Sequence, residues 1–183
     1  MAIYPASGNI LLAEPGLQDF YFRQSVILLG EMDNEGAFGM IINKRTNIHF
    51  SDVVTDHVGF NPYIYLGGPV KSQNLFFIHR MATIPGSKEI SKGIYWGGDS
   101  DVLFKMLENE LIDDSQVRFF LGYAGWTPKQ LDAEIEQNSW QVTTLTTDQI
   151  FNADQKHLWA DEMLSINPNY KLWFNMPEDI LQN

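Results

Sequence analysis

Phe119-Phe-Leu-Gly122-Tyr-Ala-Gly125-Trp126-Thr-Pro-Lys129-Gln130-Leu-Asp-Ala-Glu134-Ile-Glu-Gln-Asn138-Ser-Trp140 is the stretch whose reading decides the fold. Its apolar start extends back to Val117, so residues 117–124 predict a continuous buried strand. Gly122 and Gly125 mark a sharp corner where a second backbone passes close. Read as a positive-φ position, Gly125 should not accept valine, because a β-branched residue takes that conformation only at a cost. Thr127-Pro128-Lys129-Gln130 has the form of a capping box, with Thr127 as N-cap, Pro128 at N1 and Gln130 at N3. The helix it opens runs to about Gln137 and buries Leu131 and Ile135. A strand over 140–145 follows. Tyr123 and Trp126 flank Gly125 as core packing whose polar tips, where exposed, suit a ligand or partner.

The rest of the chain follows the same mixed pattern. Short apolar runs predict strands at 10–13, 25–30, 37–43, 63–66, 75–80 and 94–96. The second and third form a hairpin across a loop of about five residues around Asp33-Asn-Glu-Gly36. Residues 50–56 predict a short helix capped by Ser51. Asp99 or Ser100 caps a longer one running to about Leu111, with Val102, Leu103, Met106, Leu107 and Leu111 at helical spacing. Two more helical segments lie near 148–152 and 155–165, and Pro168 and Pro177 punctuate the tail. Residues 81–93 read as loop. Strands and helices intermix without regular βαβ alternation, which predicts an α+β fold rather than a doubly wound sheet.

Bulk composition narrows the function classes. At 183 residues the chain predicts one domain spanning 1–183. There are no cysteines, which excludes disulfides, thiolate zinc, iron–sulfur clusters and thiol catalysis. A signal peptide and a spanning helix are both missing from the pattern, so a cytoplasmic protein is expected. Net charge is −11. Residues 1–100 hold 9 acids and 7 bases, whereas residues 101–183 hold 14 acids and 5 bases. The second part repels phosphate, so direct nucleic-acid binding is disfavoured and would need a basic patch around Arg23, Lys44 and Arg45.

The order and spacing of several segments carry a resemblance. They are Gly8-Asn-Ile-Leu-Leu-Ala13; Glu35-Gly-Ala-Phe-Gly-Met-Ile-Ile-Asn43; Leu66-Gly-Gly-Pro-Val70; His79; Gly97-Gly-Asp99; and Gly122-Tyr-Ala-Gly-Trp126 with Gln130, Leu131, Glu134, Asn138 and Trp140. Together they resemble the AlgH/YqgE family of bacterial proteins over most of the chain. The resemblance implies a small barrel-like β core surrounded by helices. It brings no activity and no catalytic residues, although family members often carry a transcriptional-regulator label. The chain departs from the pattern at three places. Lys129 stands where a glycine is usual, a substitution that is harmless at N2 of a helix. Thr46 follows Asn43-Lys44-Arg45 where a proline is often found. Asn152 replaces a frequent aspartate, against any role that needs a carboxylate there.

The candidate binding residues are Gly67, Gly68, His79, Gly97, Gly98, Asp99, Tyr123 and Trp126. Each glycine pair can present backbone N–H groups to an anion, though a tight turn and an ordinary Asp99 N-cap are the plainer readings. His79 ends an apolar strand, where a ring with both nitrogens satisfied is the plainer reading than a general base. The histidines lack ligand spacing, and Ser25 lacks a nucleophile-elbow context. No cofactor, no metal site and no membrane contact is expected. The reading is a non-catalytic binding or regulatory domain for a small molecule or protein. The alternative is an enzyme on a small anionic substrate using His79, Asp99 and the glycine loops. Direct DNA binding ranks last.

Overall fold

The computed structural model describes residues 4–152 and 154–174, apart from the side chains of residues 172 and 173. Pro177 lies outside them. The elements in chain order are β1 (Ile10–Ala13), β2 (Val26–Asp33), β3 (Gly36–Ile41), β4 (Arg45–His49), β5 (Tyr63–Leu66), β6 (Val70–His79), β7 (Lys88–Ser91), β8 (Ile94–Trp96), α1 (Ser100–Glu108), β9 (Val117–Trp126), α2 (Gln130–Glu136), β10 (Trp140–Thr143), α3 (Thr147–Asn152), α4 (Leu158–Ile166) and α5 (Lys171–Phe174).

One sheet carries the ladder order β10-β1-β2-β3-β9-β6-β8-β7, with β5 attached to β9 and β4 to β5. Its pairings are antiparallel except for β5 with β9. The strand β9 joins the two halves. Its end pairs with β3 through Ala124–Trp126, and its beginning pairs with β5 and β6.

The period-2 alternation of the strands sets up three apolar layers. Ile10, Leu12, Val26, Leu28, Met40, Ile78 and Phe120 face a common core that α3 and α4 close with Ile150, Phe151, Leu158, Trp159 and Met163. On the opposite face, Leu11, Ile27, Leu29 and Ile41 pack with Trp126, Trp140 and Leu131 of α2. Ile64, Phe77 and Phe119 pack there with Leu103 and Leu107 of α1. The α+β class is therefore what forms. The barrel-like core implied by the resemblance is not closed. The sheet curls until Ser7 Oγ lies within hydrogen-bonding distance of the carbonyls of both Gly30 and Ile90, yet no ladder among the described residues joins β7 back to β1 or β2.

Several local expectations are corrected. The first hairpin turns more tightly than a five-residue loop, because Met32 and Asp33 stay in register with Ala37 and Gly36. The helix expected over 50–56 shrinks to one 3-10 turn, Phe50–Asp52. His49, not Ser51, is its N-cap: His49 N–H donates to the Asp52 carboxylate, and Ser51 N–H donates to the Asn61 side chain. Residues 88–91 form β7 instead of loop, with Ile90 buried. The helix α1 stops at Glu108, and Glu110 takes φ +53°, which leaves Leu111 exposed instead of on the buried stripe.

Two glycine readings change place. Gly125 does not adopt a positive φ and is exposed. The corner belongs to Gly122, at φ +71°, where an added Cβ would sit 2.3 Å from the Gly68 carbonyl oxygen. Lys129 is also not a helical N2 residue. It takes φ +64°, so Thr127–Lys129 form a turn and α2 begins at Gln130. Half of the expected box survives, since Thr127 N–H donates to Gln130 Oε1 at 3.0 Å.

Candidate functional site

The two glycine pairs are used as structure. Gly67 N–H donates to Leu121 O at 2.8 Å, and Gly67 O accepts from Ile41 N–H at 2.9 Å. A Cβ on Gly67 would lie 2.1 Å from Gly122 O, and one on Gly68 would lie 2.3 Å from Tyr123 main-chain atoms. These residues let the strand that follows β5 cross directly over β9. In the second pair, Gly97 O accepts from the His79 ring, and Gly98 (φ +106°) packs against Ile84, Pro85 and Ser87.

The structure brings His79 close to the Gly97–Asp99 loop, and both of its ring nitrogens are engaged. His79 is fully buried. Its Nε2–H donates to Gly97 O at 2.8 Å, and its Nδ1 accepts from Met81 N–H at 3.2 Å. That pattern fixes the neutral tautomer. Desolvation lowers the pKa, and the hydrogen bond donated to Gly97 O opposes the shift. Asp99 caps α1 by accepting from Asp101 and Val102 N–H. Ser25 is fully buried at the foot of β2.

Tyr123 and Trp126 lie along a shallow groove of about 460 Å³ shared with Phe38, Val70 and Gly125. The Trp126 indole is buried and turned away from it. Trp126 Nε1–H and Trp140 Nε1–H both donate to Glu134 Oε2 at 2.8 Å, and Gln130 donates to Glu134 Oε1. Glu134 thus clamps both tryptophans, the glutamine of the cap and α2 together.

A different groove concentrates charge. It has a volume of about 850 Å³ and lies where the β3–β4 corner, β5, the start of β9 and the α3–α4 connection meet. Its wall includes Lys44, Arg45, Arg118 and Lys156, with Asp114 and Asp154 as the acidic members. Four cations against two carboxylates leave a local excess of positive charge in a chain of net charge −11. Alternation along β9 places Arg118 on the face of Phe120, where it is only 4% exposed. Its guanidinium donates to Ile42 O at 3.3 Å, Ile150 O at 2.6 Å and Phe151 O at 2.9 Å, and it lies 4.6 Å from the Tyr65 ring centroid. The last two carbonyls end α3, so Arg118 also caps that helix at the negative end of its dipole. No carboxylate among the described residues forms an ion pair with it. Burial lowers its pKa, Tyr65 and Asp114 pull it back up, and the group stays charged.

Lys44 stands beside it, donating to Tyr21 O. Desolvation, then the Arg23 charge, lowers its pKa against the pull of Asp19. The basic patch conceived around Arg23, Lys44 and Arg45 therefore assembles, and tertiary structure adds Arg118 and Lys156 from the acidic part of the chain. Sequence reasoning missed those two. The signal was present in one case: an arginine inside an apolar strand is a buried charge, a more telling observation than the hydrophobic residues around it. Nothing local distinguishes Lys156 from any surface lysine. Asn152, at the wall of the same groove, leaves it with one carboxylate fewer than the resemblance implies.

The AlgH-like family model, DUF179, matches residues 10–171. A UPF0301 protein of Parabacteroides distasonis is 41% identical over 97% of this chain and 91% of its own length. One of Bacteroides thetaiotaomicron is 37% identical over 96% and 90%. Among solved structures, protein DIP2367 from Corynebacterium diphtheriae superposes with a TM-score of 0.77 at 24% identity, covering 96% of this chain and 95% of its own. AlgH from Pseudomonas aeruginosa superposes at 0.72 and 24% identity, covering 97% and 98%. The structural likenesses show the shared fold. The family match and the identities across nearly the full length show that this chain belongs to the AlgH-like family.

Proposed function

We propose that this chain is a non-catalytic binding domain of a regulatory kind, whose ligand is a small anion seated in the groove of Arg45, Arg118 and Lys156. The single observation that carries this reading is the charge of Arg118. It lies buried in the groove wall, held by main-chain carbonyls and a tyrosine face, without an ion-paired carboxylate among the described residues. A buried charge is costly unless compensated, and an incoming anion would add a directly paired charge to the carbonyls, the Tyr65 face and the more distant Asp114 that now offset it. The enzymatic alternative draws no support from His79, whose ring nitrogens are spent on Gly97 and Met81, while Asp99 Oδ1 caps the start of α1. Duplex DNA fits the groove poorly, because Asp114 and Asp154 interrupt the cationic surface that a run of phosphates would meet.

The test is a titration of ¹⁵N-labelled protein with small phosphates, sulfates, carboxylates and neutral sugars, read by amide shifts. Anions should move residues 43–45, 63–66, 118 and 152–156 and be recovered unchanged. Anion-induced shifts confined to other surfaces would refute the assignment, and turnover of a bound compound would refute the non-catalytic role.

A further inference from the structure

The groove does not end at Lys156. A second lobe of about 610 Å³ adjoins it, sharing Asn43, Lys44 and Lys156 and adding Arg23. No carboxylate lines this lobe. One lobe therefore holds four cations against two acids, and the other holds three cations, two of them shared, against none. One negative charge would leave most of that field unanswered. The cations stand in both lobes, so the matching ligand places charge in both.

Some aromatic rings of the groove carry its cations, while Phe20 in the second lobe stays exposed. Arg45 lies 4.3 Å from the Tyr63 ring centroid, and the His49 ring lies 4.1 Å from it. Both groups pack on the Tyr63 ring, which stays 38% exposed. Arg118 occupies a face of Tyr65 at 4.6 Å and lies 5.8 Å from the Phe151 ring centroid. A flat heterocycle would compete with guanidinium and imidazole groups for these stacking positions.

From the two lobes we infer that the ligand is a compact polyanion with at least two separate anionic groups, such as a diphosphate or a tricarboxylate. This rests on the groove being the binding site. Recognition is by charge and charge-assisted hydrogen bonds from Arg45, Lys44, Lys156 and Arg23, over the fixed positive charge of Arg118.

The experiment is isothermal titration of the full chain with sodium pyrophosphate, citrate, orthophosphate, benzoate and adenosine at matched ionic strength. The amide shifts described above report where each one binds. Pyrophosphate or citrate should bind with one-to-one stoichiometry, and which of them binds tighter separates phosphate from carboxylate sources. Orthophosphate, benzoate and adenosine should bind at least about tenfold more weakly. The exposed positions Arg45→Gln and Lys156→Gln should each weaken the polyanion by about tenfold, the scale of one charge-assisted hydrogen bond. Raising salt from about 50 to 200 mM should weaken it further. Lys71→Gln and Lys105→Gln, outside both lobes, should leave affinity unchanged. Benzoate or adenosine binding in the groove as tightly as pyrophosphate would overturn the inference while leaving the groove as a site. Equal losses from the Lys71 and Lys105 variants, or failure of both polyanions while a monoanion shifts the groove, would also overturn it. Anion binding confined to other surfaces would instead bring down the groove assignment itself.

Discussion

Replacing Gly122 by alanine tests the claim that the fold turns on a backbone-to-backbone crossing. Gly122 sits at φ +71° in β9, and its new Cβ would lie 2.3 Å from Gly68 O and 3.0 Å from both Ser72 Cα and Val70 O. An L-residue held in that conformation costs roughly 1–2 kcal/mol. The carbonyl must also retreat by about 1 Å to reach ordinary contact, and it belongs to the residue after Gly67. That movement strains the bonds Gly67 N–H to Leu121 O, 2.8 Å, and Ile41 N–H to Gly67 O, 2.9 Å. Each is worth about 0.5–1.5 kcal/mol net. The sum is about 2–5 kcal/mol. In a chain of this size about 1 kcal/mol moves the melting temperature by roughly 2–4 °C, so a fall of about 4–20 °C is expected. Gly125→Val is the control. Gly125 is exposed, its φ is not positive, and a Cβ there meets only Tyr123 Cε2 at 3.3 Å and Val70 Cγ2 at 3.5 Å. Valine suits a strand, so the change should stay within about 1 kcal/mol. Urea and thermal melts of both variants decide the matter. A larger loss for Gly125→Val than for Gly122→Ala would refute the crossing argument and restore the corner to Gly125.

Three further outcomes are expected. Lys129→Gly removes a side chain from φ +64° and should stabilise the protein by about 0.5–1 kcal/mol in urea melts, the left-handed penalty outweighing the added chain entropy; a loss would contradict the left-handed turn. Glu134→Ala strands two buried indole N–H groups and should cost about 2–4 kcal/mol, with altered tryptophan emission in the native state; an unchanged melting curve would mean that the clamp carries no stability. For His79, the folded pKa lies below the ordinary 6.5 because burial opposes charging. The unfolded chain therefore binds the extra proton first as pH falls, so this contribution is intact above pH 6.5 and is lost progressively below it. Stability measured from pH 7.5 to 5 should decline less steeply in His79→Gln than in the native chain, by up to about 1.4 kcal/mol per pH unit. Parallel profiles would show that His79 does not titrate against folding.

Residues 117–140 show where sequence reasoning succeeds. Their apolar run, their capping glutamine and the spacing of Leu131 and Ile135 are local matters, and β9 and α2 form close to where they are expected. The same stretch shows where it stops. Which glycine bends the chain depends on which carbonyl passes beneath it, and the partner of Gly122 is Gly68, more than fifty residues earlier. Lys129 reads as a helical residue until its φ is known. The strand β7 was illegible because only Ile90 of its four residues is buried, too little for any periodicity.

The candidate site divides along the same line. Alone, the sequence determined that thiol chemistry is absent, that helices and strands intermix, and that a helix begins at Asp99 or Ser100. These follow from composition or from neighbours within a few residues. Only the folded chain decided that Arg118 and Lys156 join Lys44 and Arg45, and that His79 is sealed between Gly97 and Met81. The physical reason is range. Propensity and capping act over one turn, whereas an electrostatic field is the sum over whatever the sheet gathers, and β9 and the α3–α4 connection carry their cations to β4 across more than seventy residues of chain.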